Sequence, residues 1–409
     1  MSQVVVMVTT SYPRFPGDSV GTFMEPIAKS VAALGHEVHL VAPWHPLLTR
    51  GAEEDGVRFH FYRYTPVRAL NVFGYASAMR ADVSLRGAAF VAAPLALAAG
   101  WRKARRIARK YRATVMHGHW VVPGGVVAAA AAPHLPLVIS LHGSDVYLAE
   151  TFAPARAAAR WAFRRAGMVT ACSADLAARA VALGADRARI ETVPYGVDVS
   201  RFRPDDRGRA GVRVELRVDP TTPLLVAAGR LVSKKGFEYA IDALAMLPGV
   251  VLAIAGEGTL EDELRERARQ QGVAARVRLL GNQTQDRVAA LFASADVIVL
   301  PSVRDDSGNV DGLPNTVLEA LASAVPLVTT TAGGIGSVVE DGRTAVVVPQ
   351  RDARALSSAI AGLLADRAAA TRIGSAGRTL VQAQFGWKAA ASRFERAYSE
   401  ALAFKSVAG

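Results

Sequence analysis

The sequence predicts an α/β fold built as two doubly wound parallel domains. Three observations carry that expectation. Short apolar runs alternate with helical patterns along the chain, and the runs end in glycine or polar residues. The alternation breaks once, between about 199 and 222, at Arg203-Pro204-Asp205-Asp206-Arg207-Gly208-Arg209 and Asp219-Pro220. Finally, 409 residues, 51% hydrophobic and 21% charged, are enough for two cored domains. The junction is placed around 198–204. That leaves one domain over 1–198, a second over 199–384, and a closing helix over about 385–409.

In the first half, residues 4–9 read as a strand. A loop of turn formers follows, with Pro13, Pro16-Gly17-Asp18 and Gly21, then a helix over 22–34 and a strand over 37–41. A glycine-bearing loop in a β–loop–α–β unit suits phosphate. Its spacing is not the dinucleotide fingerprint, so no nicotinamide cofactor is indicated. Residues 57–63 form another strand, and 80–112 an apolar helical stretch that ends in a basic segment, 101–112. That segment holds seven positive charges and no negative ones. With Trp101, Ile107 and Tyr111 it suits an anionic membrane surface; the alternative is an ordinary solvated helix face. Four further strands, 113–116, 137–141, 168–171 and 190–193, end in His117-Gly118-His119, His142-Gly143-Ser144-Asp145, Cys172-Ser173 and Pro194-Tyr195-Gly196-Val197-Asp198. In open parallel sheets, ligands bind at that edge.

The second half repeats the pattern. Strand 224–228 runs into Gly229-Arg230-Leu231-Val232-Ser233-Lys234-Lys235-Gly236, and a helix follows to about 247. Strand 250–255 ends in Gly256-Glu257-Gly258, and helix 261–271 follows. Strand 277–280 ends in Gly281-Asn282-Gln283, and helix 286–294 follows. Strand 297–300 leads through an acidic loop to Asp311-Gly312. Pro314 then opens a helix that stops near Ala324. Strand 327–331 ends in Gly333-Gly334, ahead of another expected helix. Strand 345–348 and helices over 353–365, 368–384 and 387–404 complete the chain.

Net charge is +12, unevenly spread. Residues 1–200 hold 22 Lys and Arg against 13 Asp and Glu, a net of +9; residues 201–409 hold 26 against 23, a net of +3. A positive first half suggests a phosphate-bearing substrate or an anionic membrane. Sparse aromatics and no module signature argue against nucleic acid. No apolar run is long enough for a transmembrane helix, and the start of the chain reads as a strand, not a signal peptide. The single Cys172 cannot form an intramolecular disulfide, so a reducing, cytoplasmic compartment fits. His117, His119 and His142 lie on two strands with no acidic or cysteine ligand at a recognised spacing, so no metal is expected.

Asp311 and Glu319 stand eight positions apart, one on a loop and one on the helix it feeds. Both can reach one ligand seated over the helix N-terminus. Open amides there suit phosphate, and the carboxylates suit hydroxyls further along the same molecule. A ligand of that kind is a sugar nucleotide. Arg230 and Lys235, five apart in a strand–helix loop, can neutralise a diphosphate leaving group without a metal. The plainer alternatives are a surface helix with an acidic start and a solvated basic turn.

In order and spacing these motifs resemble the retaining family 4 glycosyltransferases of the GT-B fold. The resemblance rests on Gly229-Arg230-Leu231…Lys235-Gly236, Gly256-Glu257-Gly258, Leu300-Pro301-Ser302, Asp311-Gly312-Leu313-Pro314-Asn315…Glu319-Ala320 and Gly333-Gly334-Ile335. It extends to His142-Gly143-Ser144-Asp145 and Pro194-Tyr195-Gly196-Val197-Asp198, and so covers nearly the whole chain. It implies two Rossmann-like domains that face each other across a cleft and close on each other, with the last helix crossing back to the first. It also implies the following roles. Arg230 and Lys235 bind donor diphosphate, and Glu319 binds the ribose hydroxyls. The amides of Asn315, Thr316 and Val317 meet phosphate, with Gly21, Gly281, Gly333 and Gly334 close to the donor. His142 and Asp311 contact the transferred sugar, while His119 and Asp145 lie on the acceptor side. Asp311 departs from the family's usual Glu and reaches one methylene less far. The family uses no metal and no other cofactor, and it has no agreed enzyme nucleophile. Its donor is a UDP- or GDP-sugar; its acceptor is lipid-linked, polysaccharide or small. Two alternatives stay open: a sugar-nucleotide 2-epimerase of the same fold, against which the Arg-Leu-x3-Lys-Gly loop argues, and a non-catalytic sugar-nucleotide binder.

Overall fold

The computed structural model describes residues 2–18, 20–67, 74 and 87–408. Residues 80–86 of the expected helical stretch lie outside them. By its internal contacts the chain divides into two compact units. Unit 1 is Met1–Tyr195 with Trp387–Gly409, and unit 2 is Gly196–Gly386.

Among the described residues, unit 1 carries an eight-stranded sheet. Its strands are β1 (Val4–Val8), β2 (Glu37–Pro43), β3 (Glu53–Glu54), β4 (Val57–Tyr62), β5 (Val115–His119), β6 (Leu137–Leu141), β7 (Met168–Ala171) and β8 (Ile190–Thr192). The order is β3-β4-β2-β1-β5-β6-β7-β8, and only β3 pairs antiparallel. Strand order reverses between β1 and β5, and the crevice beyond such a reversal is where open α/β sheets bind ligands. The helices between the strands are α1 (Met24–Ala32), α2 (Gly87–Lys110), α3 (Val126–Ala131), α4 (Ser144–Thr151), α5 (Ala153–Arg165) and α6 (Ala174–Ala182). Helix α1 buries Met24, Ile27, Ala28 and Val31, the stripe that a 3.6-residue period puts on one face.

Unit 2 starts with α7 (Asp206–Glu215), inside the stretch whose composition had suggested only a break. Asp205 caps it by accepting from the Gly208 N–H at 3.0 Å. The buried Arg213 ties it to the Ser294 carbonyl at 3.2 Å and to Asp296 at 3.3 Å. There follow β9 (Leu224–Ala228), α8 (Phe237–Ala245), β10 (Val251–Ala255), α9 (Glu261–Gln270), β11 (Val277–Leu279), α10 (Gln285–Ser294), β12 (Val297–Leu300), α11 (Asn315–Ala322), β13 (Leu327–Thr329), β14 (Val346–Val347), α12 (Ala353–Ala365) and α13 (Arg367–Gln384). The six strands form an all-parallel sheet in the order β11-β10-β9-β12-β13-β14, with its reversal between β9 and β12. Leu225, Ile254, Val299, Phe237 and Leu356 lie in its core. Two expectations change here. Pro314 is the N-cap of α11, with an extended ψ of 124°, and not its first helical residue. Gly333-Gly334 leads only into a 3₁₀ turn, Ile335–Ser337, and not a helix.

The chain then returns to unit 1 as α14 (Trp387–Ala408), which packs on α1, β6 and β7 and buries Ala397, Tyr398 and Ala401.

At the basic end of α2, two of the three large apolar side chains pack inside the unit. Ile107 is 4% exposed, and Tyr111 stacks on His39 with ring centroids 3.9 Å apart. Trp101 donates its indole N–H to the Ala130 carbonyl at 3.1 Å. Ile107 and Tyr111 are engaged within the unit, while Trp101, Arg102, Arg106, Arg109, Lys110 and Arg112 are exposed. Among the described residues, no helix is long and apolar enough to cross a membrane.

Candidate functional site

In unit 2 the loop after β9 is pressed against the loop after β12. Gly236 has φ +66°, and a Cβ there would strike the Pro301 carbonyl. The Val303 N–H donates to the Lys234 carbonyl at 2.9 Å. This contact brings two ammonium groups to one carboxylate. Lys234 Nζ lies 3.0 Å from Asp311 Oδ1, and Lys235 Nζ 2.6 Å from Oδ2. Burial pushes the Asp311 carboxyl up. Lys234 and Lys235 outweigh it and hold the group well below the usual carboxylate range. Two ammoniums and one carboxylate leave a net charge of +1, and the exposed Arg230 adds to the positive field. The cluster therefore attracts an anion although a carboxylate sits inside it.

The same segment is packed from its far side by Gly333. Its φ is +58°, and a Cβ there would meet the Asp311 carbonyl. Glycine at 333 thus answers a close backbone approach. Gly281, also at positive φ, accepts the Gly256 N–H at 2.8 Å and fastens the loops after β10 and β11 together.

Glu319 lies in the second turn of α11, 9% exposed. Burial lifts its carboxyl to about 7, against a smaller downward pull from Arg201 and Lys235. Arg201 comes from a segment held by Arg378, which donates to the carbonyls of Val199 (3.2 Å), Phe202 (2.9 Å) and Ala322. At the start of α11, the Val317 N–H already donates to the Pro314 carbonyl at 3.0 Å. Asn315 and Thr316 are left to supply the open amides of the first turn. The Asn315 Oδ1 is buried and has no hydrogen-bond partner among the described residues.

In unit 1 the loop after β1 is braced by the buried Asp18. It accepts from the Arg14 N–H (2.8 Å), Nε (2.7 Å) and Nη2 (2.9 Å), and from the Val20 N–H (3.2 Å). Gly21 follows directly, at φ +66°. Across the sheet, Asp145 is 2% exposed and accepts three backbone N–H groups, from Val121 (2.7 Å), His142 (3.1 Å) and Gly143 (2.9 Å). Both of its oxygens are thus committed to the backbone, and it sets the turn that carries His142. Both ring nitrogens of His142 are engaged as well. Nδ1 lies 2.6 Å from the Tyr195 hydroxyl, and Nε2 lies 3.2 Å from His119 Nδ1. Phe23 and Trp120 pack on the same ring, with centroids 4.8 and 4.6 Å away. Burial and the nearby His117 drop His142 to about 3, so it is neutral at pH 7 and no general base. His119 is fully buried, and burial holds it well below the usual imidazole range. His117 is fully buried too and bonds the Tyr398 hydroxyl (2.8 Å) and the Ser140 hydroxyl (2.7 Å). Among the described residues, no group of three His, Cys, Asp or Glu is placed to hold a metal.

Tyr195 therefore positions His142, a role its place in Pro194-Tyr195-Gly196 did not reveal. Tyr195→Phe should leave Nδ1 without a partner, a loss of about 1–3 kcal/mol in a buried site. The expected result is an activity down roughly tenfold with a cooperative unfolding transition retained. Unchanged kcat in the variant would show that the hydroxyl does not matter. Lys234 also escaped sequence reasoning. Lys234-Lys235 is visible as a pair, but only the 3₁₀ turn over Ser233–Lys235 shows that both reach Asp311. Asp18 had a partial signal, because Pro-Gly-Asp marks a turn.

Two families match the chain. Residues 210–380 match Glycosyl transferases group 1, and residues 20–201 match Glycosyltransferase Family 4. Glycogen synthase of Mycobacterium tuberculosis is 30% identical over 412 residues, covering 96% of this chain and 94% of the relative. The GDP-mannose-dependent alpha-(1-6)-phosphatidylinositol monomannoside mannosyltransferase of the same organism is 35% identical over 244 residues, 58% of this chain and 63% of that one. Among solved structures, sucrose-phosphate synthase from Thermosynechococcus elongatus superposes with a TM-score of 0.80 at 21% identity, covering 98% of this chain and 99% of that one. Anabaena HepE in complex with UDP-glucose gives 0.76 at 18%, covering 97% and 99%. At such identities the structures establish the fold, which is GT-B, with two Rossmann-like units. Together with the near full-length relative and the two family matches, they identify the chain as a glycosyltransferase that joins a Glycosyltransferase Family 4 region to a Glycosyl transferases group 1 region.

Proposed function

We propose that the enzyme transfers a hexose, with retention and without a metal, from a UDP- or GDP-sugar to a lipid-linked, polysaccharide or small-molecule acceptor. The observation that carries this reading is the cationic cluster of Lys234 and Lys235 on Asp311, in the loop that also carries Arg230. As the bond from the anomeric carbon to the diphosphate breaks, its electron pair goes to the leaving phosphate. Fixed cations stabilise that charge without reorganising. Glu319 accepts from the ribose hydroxyls, and the amides of Asn315 and Thr316 face phosphate. Asp311, its oxygens held by two ammoniums, is a weak nucleophile, and His142 is too poor a base to activate the acceptor. Retention without a covalent enzyme intermediate is the route this leaves, with the acceptor's proton passing to the departing phosphate oxygen.

Unit 2 holds the donor in this reading, and the basic unit 1 takes the acceptor. The relatives support both donor bases: one is named for GDP-mannose, and one neighbour was solved with UDP-glucose. The mannosyltransferase, named for a phosphatidylinositol mannoside, supports a lipid-linked acceptor. The exposed cations of 102–112 would hold the enzyme at the cytoplasmic face of an anionic membrane by charge alone, a contact that salt removes.

A panel of UDP- and GDP-sugars tests the donor reading. At 100 times its Kd, the true donor adds about 2.7 kcal/mol and raises Tm by roughly 5–10 °C. Nucleotide release should then depend on added acceptor. Failure of the whole panel to shift Tm sinks the donor site; acceptor-independent turnover points instead to an epimerase.

A further inference from the structure

Unit 1 has a cavity of about 270 Å³ at the edge of its sheet where the strands begin. Leu137 lines it and opens β6. The other end of β6 leads to His142, five residues on from Leu137, which sets the two places roughly 16 Å apart along the sheet. The cavity floor is apolar, made by Ala132, Leu137, Ala401 and Phe404. Arg164, Arg165 and Lys405 stand around it, and among the described residues no acidic one lines it.

The chain builds this arrangement from three ends. Helix α5 stops at Arg165, α3 stops just before Ala132, and α14 passes Gly167 and Pro133, the residues that follow them. Gly167 permits that crossing, since a Cβ there would lie only 3.0 Å from Ala401 Cα. Lys405 Nζ donates to the Pro133 carbonyl at 3.3 Å, which fixes it at the rim. The Arg165 guanidinium lies 4.1 Å over the Trp161 ring, and that of Arg189 lies 3.8 Å over the Phe404 ring. Basic residues in the last turn of a helix offset its dipole, which accounts for the sign of Arg164 and Arg165. It does not account for three cations gathered around an apolar floor.

We propose that this cavity binds an amphiphilic anion: a phosphate or carboxylate head carrying an apolar chain. Guanidinium groups grip such heads in bidentate fashion, and the apolar floor takes the first methylenes. The volume lies below the 300–1,000 Å³ common for drug-sized ligands, so the head and a short length of chain fit and the rest stays outside. Two sources supply this chemistry, an anionic lipid in a membrane and a free single-chain phosphate or fatty acid.

The test titrates the full-length protein calorimetrically with octyl phosphate, inorganic phosphate and octyltrimethylammonium. Octyl phosphate should bind saturably, and the other two weaker by about tenfold or more, since one lacks the chain and the other the negative head. Arg164→Glu with Arg165→Glu should weaken octyl phosphate by about tenfold or more. Both side chains are exposed and lie outside the donor machinery, so the affinity for nucleotide sugar should not move, while the ligand-free Tm should fall by a few degrees as the end of α5 loses its cations. Phe404→Ala should weaken octyl phosphate and leave inorganic phosphate unchanged. The proposal is overturned if octyl phosphate fails to saturate, if the double variant binds it as wild type does, or if inorganic phosphate binds equally well. Once the site stands on those titrations, vesicles assign its source. Sedimentation with phosphatidic acid in phosphatidylcholine that the double variant loses assigns a lipid. Sedimentation that is equal in both proteins assigns the free anion.

Discussion

Glu319→Gln should make the ligand-free protein more stable above neutral pH while it weakens the enzyme. Burial raises the Glu319 carboxyl from an ordinary 4.5 to about 7. For a group raised in this way, the favourable contribution is complete below 4.5 and is lost as pH climbs to about 7. At pH 8 the wild type holds a buried anion at a cost of about 3 kcal/mol, since each tenfold change in proton affinity corresponds to about 1.4 kcal/mol. The amide has the same shape and no such cost. Urea unfolding of the two proteins from pH 5 to pH 8 should show a gap that opens with pH, from below about 1 kcal/mol at pH 5 to about 3 kcal/mol at pH 8. Activity should fall, because the amide replaces a charge-assisted acceptor that contributes about 1.5–3 kcal/mol, or roughly 10–100-fold in kcat/KM. A variant less stable than wild type at pH 8, or a gap that does not change with pH, would disprove the account of Glu319 as a strained binding group.

Asp311→Asn should do the reverse and destabilise strongly. The side chains of Lys234 and Lys235 are only 6% and 12% exposed, and Asp311 is their shared counter-charge. Removing one partner of a buried ion pair costs about 3–5 kcal/mol. The Asp311 carboxyl is depressed, so its contribution is present above 3.8 and is lost only as pH falls through the depressed value. The loss in the variant should therefore be flat between pH 5 and pH 8, unlike the sloping gap at Glu319. Nucleotide phosphates would give the orphaned ammoniums a new counter-ion, so UDP or GDP should raise Tm more in Asp311→Asn than in wild type. A loss below about 1 kcal/mol, typical of a surface pair, would show the cluster to be solvated.

The central strands were legible because they are buried on both faces and read as unbroken apolar runs. The bounds of β6, β7, β9 and β12 follow directly from such runs. Helices α3 and α4 were not legible. Helix α3 is apolar throughout and α4 has no apolar stripe at the helical period, so neither announces itself in sequence. Helix α7 reads as a linker because Gly208 and Gly211 interrupt it, and what holds it is a tertiary contact, Arg213 on Ser294 and Asp296. In the site, the order of motifs pointed to Arg230, Lys235 and Glu319. Spacing could not show that Lys234 turns inward, that Val317 has spent its amide, or that both nitrogens of His142 are engaged. Those facts depend on a 3₁₀ turn, a cap and a tyrosine 53 residues away.

The division of the chain has a consequence for its synthesis. Unit 2 begins and ends side by side: Val197 and Gly386 form a parallel bridge, and the Val197 N–H donates to the Phe385 carbonyl at 2.8 Å. It is a closed insert, complete in residues 196–386, within a unit written in two pieces. On the ribosome, unit 2 has all its parts while unit 1 still lacks α14, and with it the Tyr398 hydroxyl that holds His117 at the centre of the sheet. The earlier-translated unit is thus the later one to be finished, and its buried His117 acquires its last partner only after unit 2 has been made.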